Sequence, residues 1–300
     1  MSTRERTISA NGREAPDFIL RVPAKINLWL EVIGKREDGF HDISSLMLPI
    51  SVFDRISLGV RPGSGTISVA CDASEIPSDH RNLAWRAAEL YLKASGKRAG
   101  VDIGIEKLIP WGAGLGGGSS DAAGVLAALN SFFENTVSPG ELETLALALG
   151  ADVPFFLNPR PALATGIGEK LEFTRFAPDY PLLLIKPPVN VPTGWVYQSL
   201  KLTKCKAQIK LSSFQEDPYQ FGDLVENDLE SVTVPQYPVI AEIKRWLIGQ
   251  GALTASMSGS GPTVFGIFSS ARAAADAAAI AQKEWSDCWV HTAQVIGRKN

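Results

Sequence analysis

The sequence predicts an α+β protein in two parts, on three observations. From Phe18 to Val32 every second residue is apolar, the period of a half-buried strand. Strand-like and helix-like segments are mixed further along without strict βα alternation, which favours sheets with helices on one face. The 300 residues are many for one core, and a proline- and glycine-rich stretch, NPRPALATG, marks a boundary near residue 165.

Each element has its own signal. In the first strand Phe18, Leu20, Val22, Ala24, Ile26, Leu28, Leu30 and Val32 share one face. Arg21, Pro23, Lys25, Asn27, Trp29 and Glu31 take the other, so Lys25 and Asn27 project the same way. Pro23 has no N–H and marks an edge or a bulge. RISLGV and TISVAC alternate as shorter strands. NLAWRAAELYLKASG reads as an amphipathic helix stopped by Gly96, and VDIGIEKL as another strand. A helix with the stripe Ala122, Val125, Leu126, Leu129, Phe132 and Phe133 follows the glycine-rich loop PWGAGLGGGSS. The next helix has Ser138 as N-cap, Pro139 at its first position, Glu141 completing a capping box and Gly150 as its stop. From it the chain runs directly into ADVPFFL. In the second half PLLLIKPP is a buried strand, and ALTASMS, a GSG turn and TVFGIF read as strand, tight connection and strand. ARAAADAAAIAQKEW is a helix and CWVHTAQVIG a last strand.

Composition narrows the function classes. Hydrophobic residues make up 45% and charged residues 20%, as in ordinary globular proteins. A net charge of -3 provides no general basic surface, so no nucleic acid partner is expected and any anion site must be local. Cys71, Cys205 and Cys288 are far apart with no C-x-x-C pair, which fits a reducing cytoplasm and not a disulfide framework. No apolar run reaches the roughly 20 residues that span a bilayer, so no membrane partner is expected. Residues 1–16 contain no apolar core of a secretory signal and read as a disordered extension.

The glycine loop carries the chemistry. Gly112, Gly114 and Gly117 match G-x-G-x-x-G, a string that several nucleotide folds use. No Lys follows as a Walker A loop requires. Glu134 lies at the distance of a Rossmann acid but follows a helix, not a strand. The V-A-I-K, H-R-D and D-F-G strings of protein kinases are absent. What remains is physical. Glycines let backbone approach an anion, and their N–H groups with those of a helix start bind phosphate without net positive charge. Ser119 and Ser120 are placed to cap that helix, and one hydroxyl can meet a metal-bound phosphate. The alternative is a flexible surface turn ending in an N-cap.

PWGAGLGGGSSDAA resembles the phosphate motif of the GHMP kinases, the superfamily of galactokinase, homoserine kinase and mevalonate kinase. PAKINLWLEV near the start and MSGSGPTVFG near the end resemble its other two motifs, in the same order. The resemblance runs from Phe18 onward. It implies an N-terminal ribosomal-protein-S5-like nucleotide domain over 17–165 and a ferredoxin-like substrate domain over 166–300. It narrows, through DGFHDISSLM, LGADVPFFL and ATGIGEKLE, to kinases that phosphorylate the 2-hydroxyl of a cytidine diphosphate-linked methylerythritol, in the non-mevalonate route to isoprenoids.

The resemblance implies ATP as phosphoryl donor, Mg2+, and a small-molecule acceptor, in a monomer or a homodimer. It assigns Lys25 and Asp152 to catalysis. It gives ATP to Pro110, Trp111, Gly112, Ala113, Gly114, Leu115, Gly116, Gly117, Gly118, Ser119 and Ser120, with Asn82 and Lys107 toward adenine and Ser119 or Ser120 near Mg2+. Asn27, Phe40, His41, Thr193 and Tyr197 would line the acceptor pocket, and Ser258, Gly259, Ser260 and Gly261 would close it beside the phosphates. Phe40 departs from a family pattern that often has tyrosine there, so a ring remains to stack while a phenolic hydrogen bond is lost.

The chemistry of these residue types agrees. Phosphoryl transfer needs positioning, charge neutralisation and a proton acceptor. Asp152 can take the hydroxyl proton and Lys25 can steady the negative charge. A neutral His41 can bond the edge of cytosine, and Phe40 and Tyr197 can stack on it. The rival readings are a GHMP kinase acting on homoserine, mevalonate or a sugar, and a non-catalytic nucleotide-binding regulator.

Overall fold

The structure, a computed structural model, describes residues 16–174, 178–201 and 225–297. Apart from Pro16, the expected extension over 1–16 lies outside them. The described residues form two compact units interleaved along the chain. Unit 1 takes residues up to Val22, then Phe53–Leu108 and Gly117–Leu157. Unit 2 takes Pro23–Val52, Ile109–Gly116 and the chain from Asn158. Two long paired strands, β1 (Phe18–Lys35) and β2 (His41–Pro62), each contribute to both units. A single division at 165/166 is therefore a division of sequence, and the compact units follow another one.

In unit 1 the second half of β2 pairs antiparallel with β4 (Ala99–Glu106), and β4 pairs parallel with β3 (Ile67–Cys71). Helix α1 (Leu83–Ser95) starts because the Asn82 side chain accepts the Ala84 N–H at 2.9 Å, and it stops at Gly96 in the left-handed region, φ 65°. It buries Ala84, Ala87, Ala88 and Tyr91 against α2 (Gly117–Phe132). The Tyr91 hydroxyl donates to Asn130 Oδ1 at 3.1 Å, so the phenol end of this buried ring is satisfied. α2 also lies close on β1: a Cβ at Gly124 would stand 2.7 Å from Val22 Cγ1. The capping box predicted for α3 (Pro139–Leu149) forms in full, with Ser138 and Glu141 each bonding the other's backbone N–H.

In unit 2 the first half of β2 pairs with β5 (Ala162–Gly166), and β5 with β6 (Lys170–Phe173). A second, antiparallel sheet has the order β10-β7-β9-β8, from β7 (Pro181–Lys186), β8 (Thr254–Met257), β9 (Val264–Ile267) and β10 (Trp289–Gln294). Between β7 and β8 stand α5 (Thr193–Ser199), α6 (Glu230–Gln236) and α7 (Val239–Gly249). α7 and α8 (Ala271–Glu284) pack on this sheet through Ile240, Ile243 and Leu247 and through Ala274, Ala277, Ala278 and Ala281. Helices and antiparallel strands are thus layered as the α+β prediction requires.

Two local readings change, and one segment without a predicted element gains one. The β1 face that carries Lys25, Asn27, Trp29 and Glu31 is buried as fully as the apolar face, because later unit 2 segments cover it. The proline-rich NPRPALATG is not only a boundary, since its second half is β5 in register with Ile43–Met47. ADVPFFL holds the short helix α4 (Val153–Leu157), which buries Val153, Phe155 and Phe156.

Candidate active site

In unit 2 the loop Ile109–Gly116 has a backbone that alternates in hand. Gly112, Gly114 and Gly116 have φ of 61°, 74° and 73°, while Ala113 and Leu115 between them do not have positive φ. Alternation in the sign of φ is what an anion-binding nest requires of its backbone. The intervening side chains anchor the loop: Ala113 and Leu115 are buried in the core with Ile109. Its carbonyls are held from the rest of the unit. Thr263 N–H donates to Ala113 O at 3.3 Å, Ser258 Oγ to Gly114 O at 2.9 Å, and Lys25 N–H to Leu115 O at 3.0 Å. Three successive peptides are therefore fixed through their oxygens, which fixes the direction of the N–H groups opposite.

Lys25 is only 3% exposed. Its Nζ donates to Asn27 Oδ1 at 2.5 Å, Asn27 Nδ2 donates to Ser45 Oγ at 2.7 Å, and Ser45 Oγ donates to Trp29 O at 2.7 Å. This chain sets the Asn27 amide so that its oxygen faces the ammonium. Asn27 thus holds Lys25 through a buried amide, a task its place on the strand face did not reveal. The β8–β9 connection completes the arrangement. Gly259, at φ 56°, has no side chain, and a Cβ there would lie 3.3 Å from Gly114 O, 3.4 Å from Asn27 Oδ1 and 3.5 Å from Lys25 Nζ. A Cβ at Gly114 would in turn overlap Ser258 O. Three segments far apart in sequence meet here backbone against backbone, and glycine is required at the contact.

Residues 82–159 match the GHMP kinases N terminal domain and residues 209–287 the GHMP kinases C terminal. A 4-diphosphocytidyl-2-C-methyl-D-erythritol kinase of Syntrophotalea carbinolica is 48% identical over 85% of this chain and 91% of its own length. That of Geobacter sulfurreducens is 44% identical over 91% and 98%. The chain belongs to the 4-diphosphocytidyl-2-C-methyl-D-erythritol kinase family of the GHMP kinases. A crystal structure of 4-(cytidine 5'-diphospho)-2C-methyl-D-erythritol kinase superposes with a TM-score of 0.77 at 37% identity, covering 92% of this chain and 99% of the other. A homoserine kinase from Cytophaga hutchinsonii, at 20% identity and a TM-score of 0.69 over 92% and 94%, shares the fold. The chain is accordingly a small-molecule kinase with the GHMP fold.

The residues that the family resemblance gives to the acceptor lie in unit 2. His41 begins β2 and is buried, and its ring centroid is 5.4 Å from that of Tyr197 on α5 at a tilt of 32°. Burial, then the charge of Lys35, holds its imidazole below the ordinary histidine value, so it is neutral at pH 7. Phe40, by contrast, is 58% exposed on the turn before β2, where its N–H donates to Asp38 Oδ1. Thr193 opens α5, and its hydroxyl is 2.8 Å from Ser260 Oγ, tying α5 to the β8–β9 connection. Trp111 is exposed beside Gly112.

The remaining predicted residues lie in unit 1. α2 starts at Gly117, so Ser119 and Ser120 are inside its first turn and do not cap it. Ser120 is buried and Ser119 half-buried, which leaves Ser119 the more accessible hydroxyl at this helix start. Asn82 uses its oxygen on the α1 cap and its Nδ2 on Pro77 O at 2.8 Å. Lys107 is also committed: its Nζ pairs with Asp54 and, at 2.9 Å, with Asp121, all three side chains being buried. Burial opposes the Lys107 charge, but Asp121 and Asp54 outweigh it and raise its pKa. The Asp121 carboxyl is pushed up to about 7 by burial, against the pull of Lys107. This ion cluster ties the strands β2 and β4 to the first turns of α2. Sequence reading missed it because Asp54 and Asp121 come from segments with no common pattern. Asp152 is half-buried directly before α4, between Gly150 at the end of α3 and Val153.

Proposed function

We propose that this kinase transfers the γ-phosphoryl group of ATP to the 2-hydroxyl of 4-diphosphocytidyl-2-C-methyl-D-erythritol. One observation carries the reading. Lys25 with Asn27, the glycine nest around Gly114, and the Ser258–Gly261 connection converge within unit 2, with Gly259 in reach of both Lys25 and the nest. A lysine beside a phosphate-binding nest is suited to stabilise charge that develops during phosphoryl transfer.

In this reading the N–H groups of Gly112 to Ser120 hold the triphosphate, helped by the start of α2. Lys25 steadies the attacking oxygen and the transferred group, and Asp152 accepts the hydroxyl proton. Neutral His41 bonds the cytosine edge, and Phe40 and Tyr197 stack on the base. The Ser119 hydroxyl, the more accessible of the two at the start of α2, would help hold Mg2+ beside the phosphates, and the ion would supply charge neutralisation there. Asn82 and Lys107 would contribute to adenine only through backbone or by packing, since their side chains are engaged. The cysteine usage supports a cytoplasmic location.

A coupled ADP-release assay tests the assignment, with 4-diphosphocytidyl-2-C-methyl-D-erythritol, homoserine, mevalonate and galactose as acceptors. ADP release is expected with the first at a kcat/KM at least about 100-fold above the others, the discrimination expected of a site built to hydrogen-bond a base. Preference for another acceptor overturns the substrate, and tight ATP binding with no ADP from any acceptor overturns the activity.

A further inference from the structure

We infer that Asn227 is a positioning residue for phosphoryl transfer, acting from outside the three motifs by holding the Ser258–Gly261 connection against Lys25. The side chain is 6% exposed and its amide is fully engaged. Nδ2 donates to Met257 O and to Gly259 O, both at 2.7 Å, and Oδ1 accepts the Leu229 N–H at 3.0 Å. An amide has two N–H donors, and both are spent on one loop. No other ordinary side chain of this size offers two donors and an acceptor in one plane.

What Asn227 hangs from is as telling as what it holds. Leu30 N–H donates to Glu226 O at 2.9 Å, Asp228 N–H donates to Leu30 O at 3.0 Å, and Val32 N–H donates to Asp228 Oδ2 at 2.9 Å. The segment is therefore locked on β1, the strand that carries Lys25 and Asn27. Asn227 closes a circuit from β1 to the connection and back to Lys25 through Gly259. The return step is one of proximity, because a Cβ on Gly259 would stand at ordinary contact distance from Lys25 Nζ and Asn27 Oδ1, 3.5 and 3.4 Å away. A shift of the Gly259 peptide changes the surroundings of the ammonium directly. Asn227 itself reaches the reaction only through that peptide.

The inference rests on the proposed role of Lys25, and the test separates the two. Asn227→Asp keeps the shape but turns an acceptor toward two carbonyls. Its kcat should fall about 10- to 100-fold, the range expected for small misplacement of a catalytic group. KM for ATP and for the acceptor should stay within about threefold, since Asn227 reaches the Ser258–Gly261 connection only through the backbone carbonyls of Met257 and Gly259 and leaves the side chains of the binding set in place. Lys25→Ala should be at least as damaging, and adding Asn227→Asp to it should cost less than about threefold more, because both changes remove one function. Unchanged kcat in Asn227→Asp, or a double variant in which the two losses multiply, overturns the inference while leaving the kinase reading intact. Near-normal turnover of Lys25→Ala overturns the Lys25 role instead. If Asn227→Asp does not fold, Asn227→Ser, which retains one donor, is judged by the same kcat split and the same cycle.

Discussion

Alanine at Gly114 should cost far more than alanine at Gly112, two residues earlier. Both glycines have positive φ, 74° and 61°, and an alanine in the left-handed region costs about 1–2 kcal/mol at either position. The difference lies in what the new methyl meets. At Gly112 the nearest atom is Asn190 Oδ1 at 3.5 Å, an ordinary contact. At Gly114 the methyl overlaps Ser258 O and lies 3.1 Å from Gly261 O and 3.2 Å from Gly261 N, all backbone. Backbone cannot rotate aside as a side chain can, so overpacking adds about 1–3 kcal/mol. That surplus must appear somewhere. Either the fold bears it and unfolding in urea becomes easier by this amount, or the loop moves and ATP binds more weakly. At about 1.4 kcal/mol per tenfold, the second route is a factor of about 5 to 150 in Kd. Urea unfolding and ATP titration on both variants give the two parts. If Gly114→Ala and Gly112→Ala agree within about 0.5 kcal/mol in the summed loss, the close backbone contact described here is wrong.

Asp152→Asn should lower kcat by about 100-fold or more with ATP affinity nearly unchanged, as for loss of a general base, and steady-state kinetics with ATP titration checks it. Lys107→Ala leaves two buried carboxylates without their cation and should destabilise the protein by about 3–5 kcal/mol in urea. Phe40→Ala should raise the acceptor KM by about 1–3 kcal/mol of lost stacking with kcat held, and Phe40→Tyr should not. The His41 pKa is depressed, so the ring is neutral above pH 6.5 and charges only as pH falls through a value below that. The acceptor KM should be flat above pH 6.5 and rise at lower pH, with the ATP KM flat throughout. The sign for stability is the same, because below 6.5 the unfolded chain binds the proton more readily and native stability declines. A pH series of both KM values, repeated for His41→Gln, reads this out.

The glycine loop was legible in the sequence because its glycines answer a local need: alternating positive φ is a property of the segment itself. The same is true of α1 and α3, whose caps at Asn82 and Ser138 are written beside the helices they start. The errors arise where a distant segment decides. Alternation in β1 predicted one wet face, yet residues 226–228 and 258–261 cover it, some two hundred positions away, and the polar face became the buried setting of Lys25. Lys107 was expected to reach toward the adenine of ATP. Its partners Asp54 and Asp121 are separated from it by 53 and 14 residues, and only the fold brings them together. Ser119 and Ser120 were read as caps because serine favours that position, whereas the glycines before them already take helical turns. Asn227 carried no motif signal, since an asparagine that holds a loop looks in sequence like any other.

The interleaving of the two units has a consequence for how the chain is made. Ile50 bridges to Val295, and the core around Ala24 and Leu28 includes Ala293 and Val295. While a ribosome is still reading the middle of the message, the emerging β1 and β2 have no complete core to join. Unit 2 can close only after residues near 295 have cleared the exit tunnel, so nascent chains must wait with Leu28, Leu46 and Ile50 uncovered, and fragments that end before Trp289 should lack a complete unit 2 core.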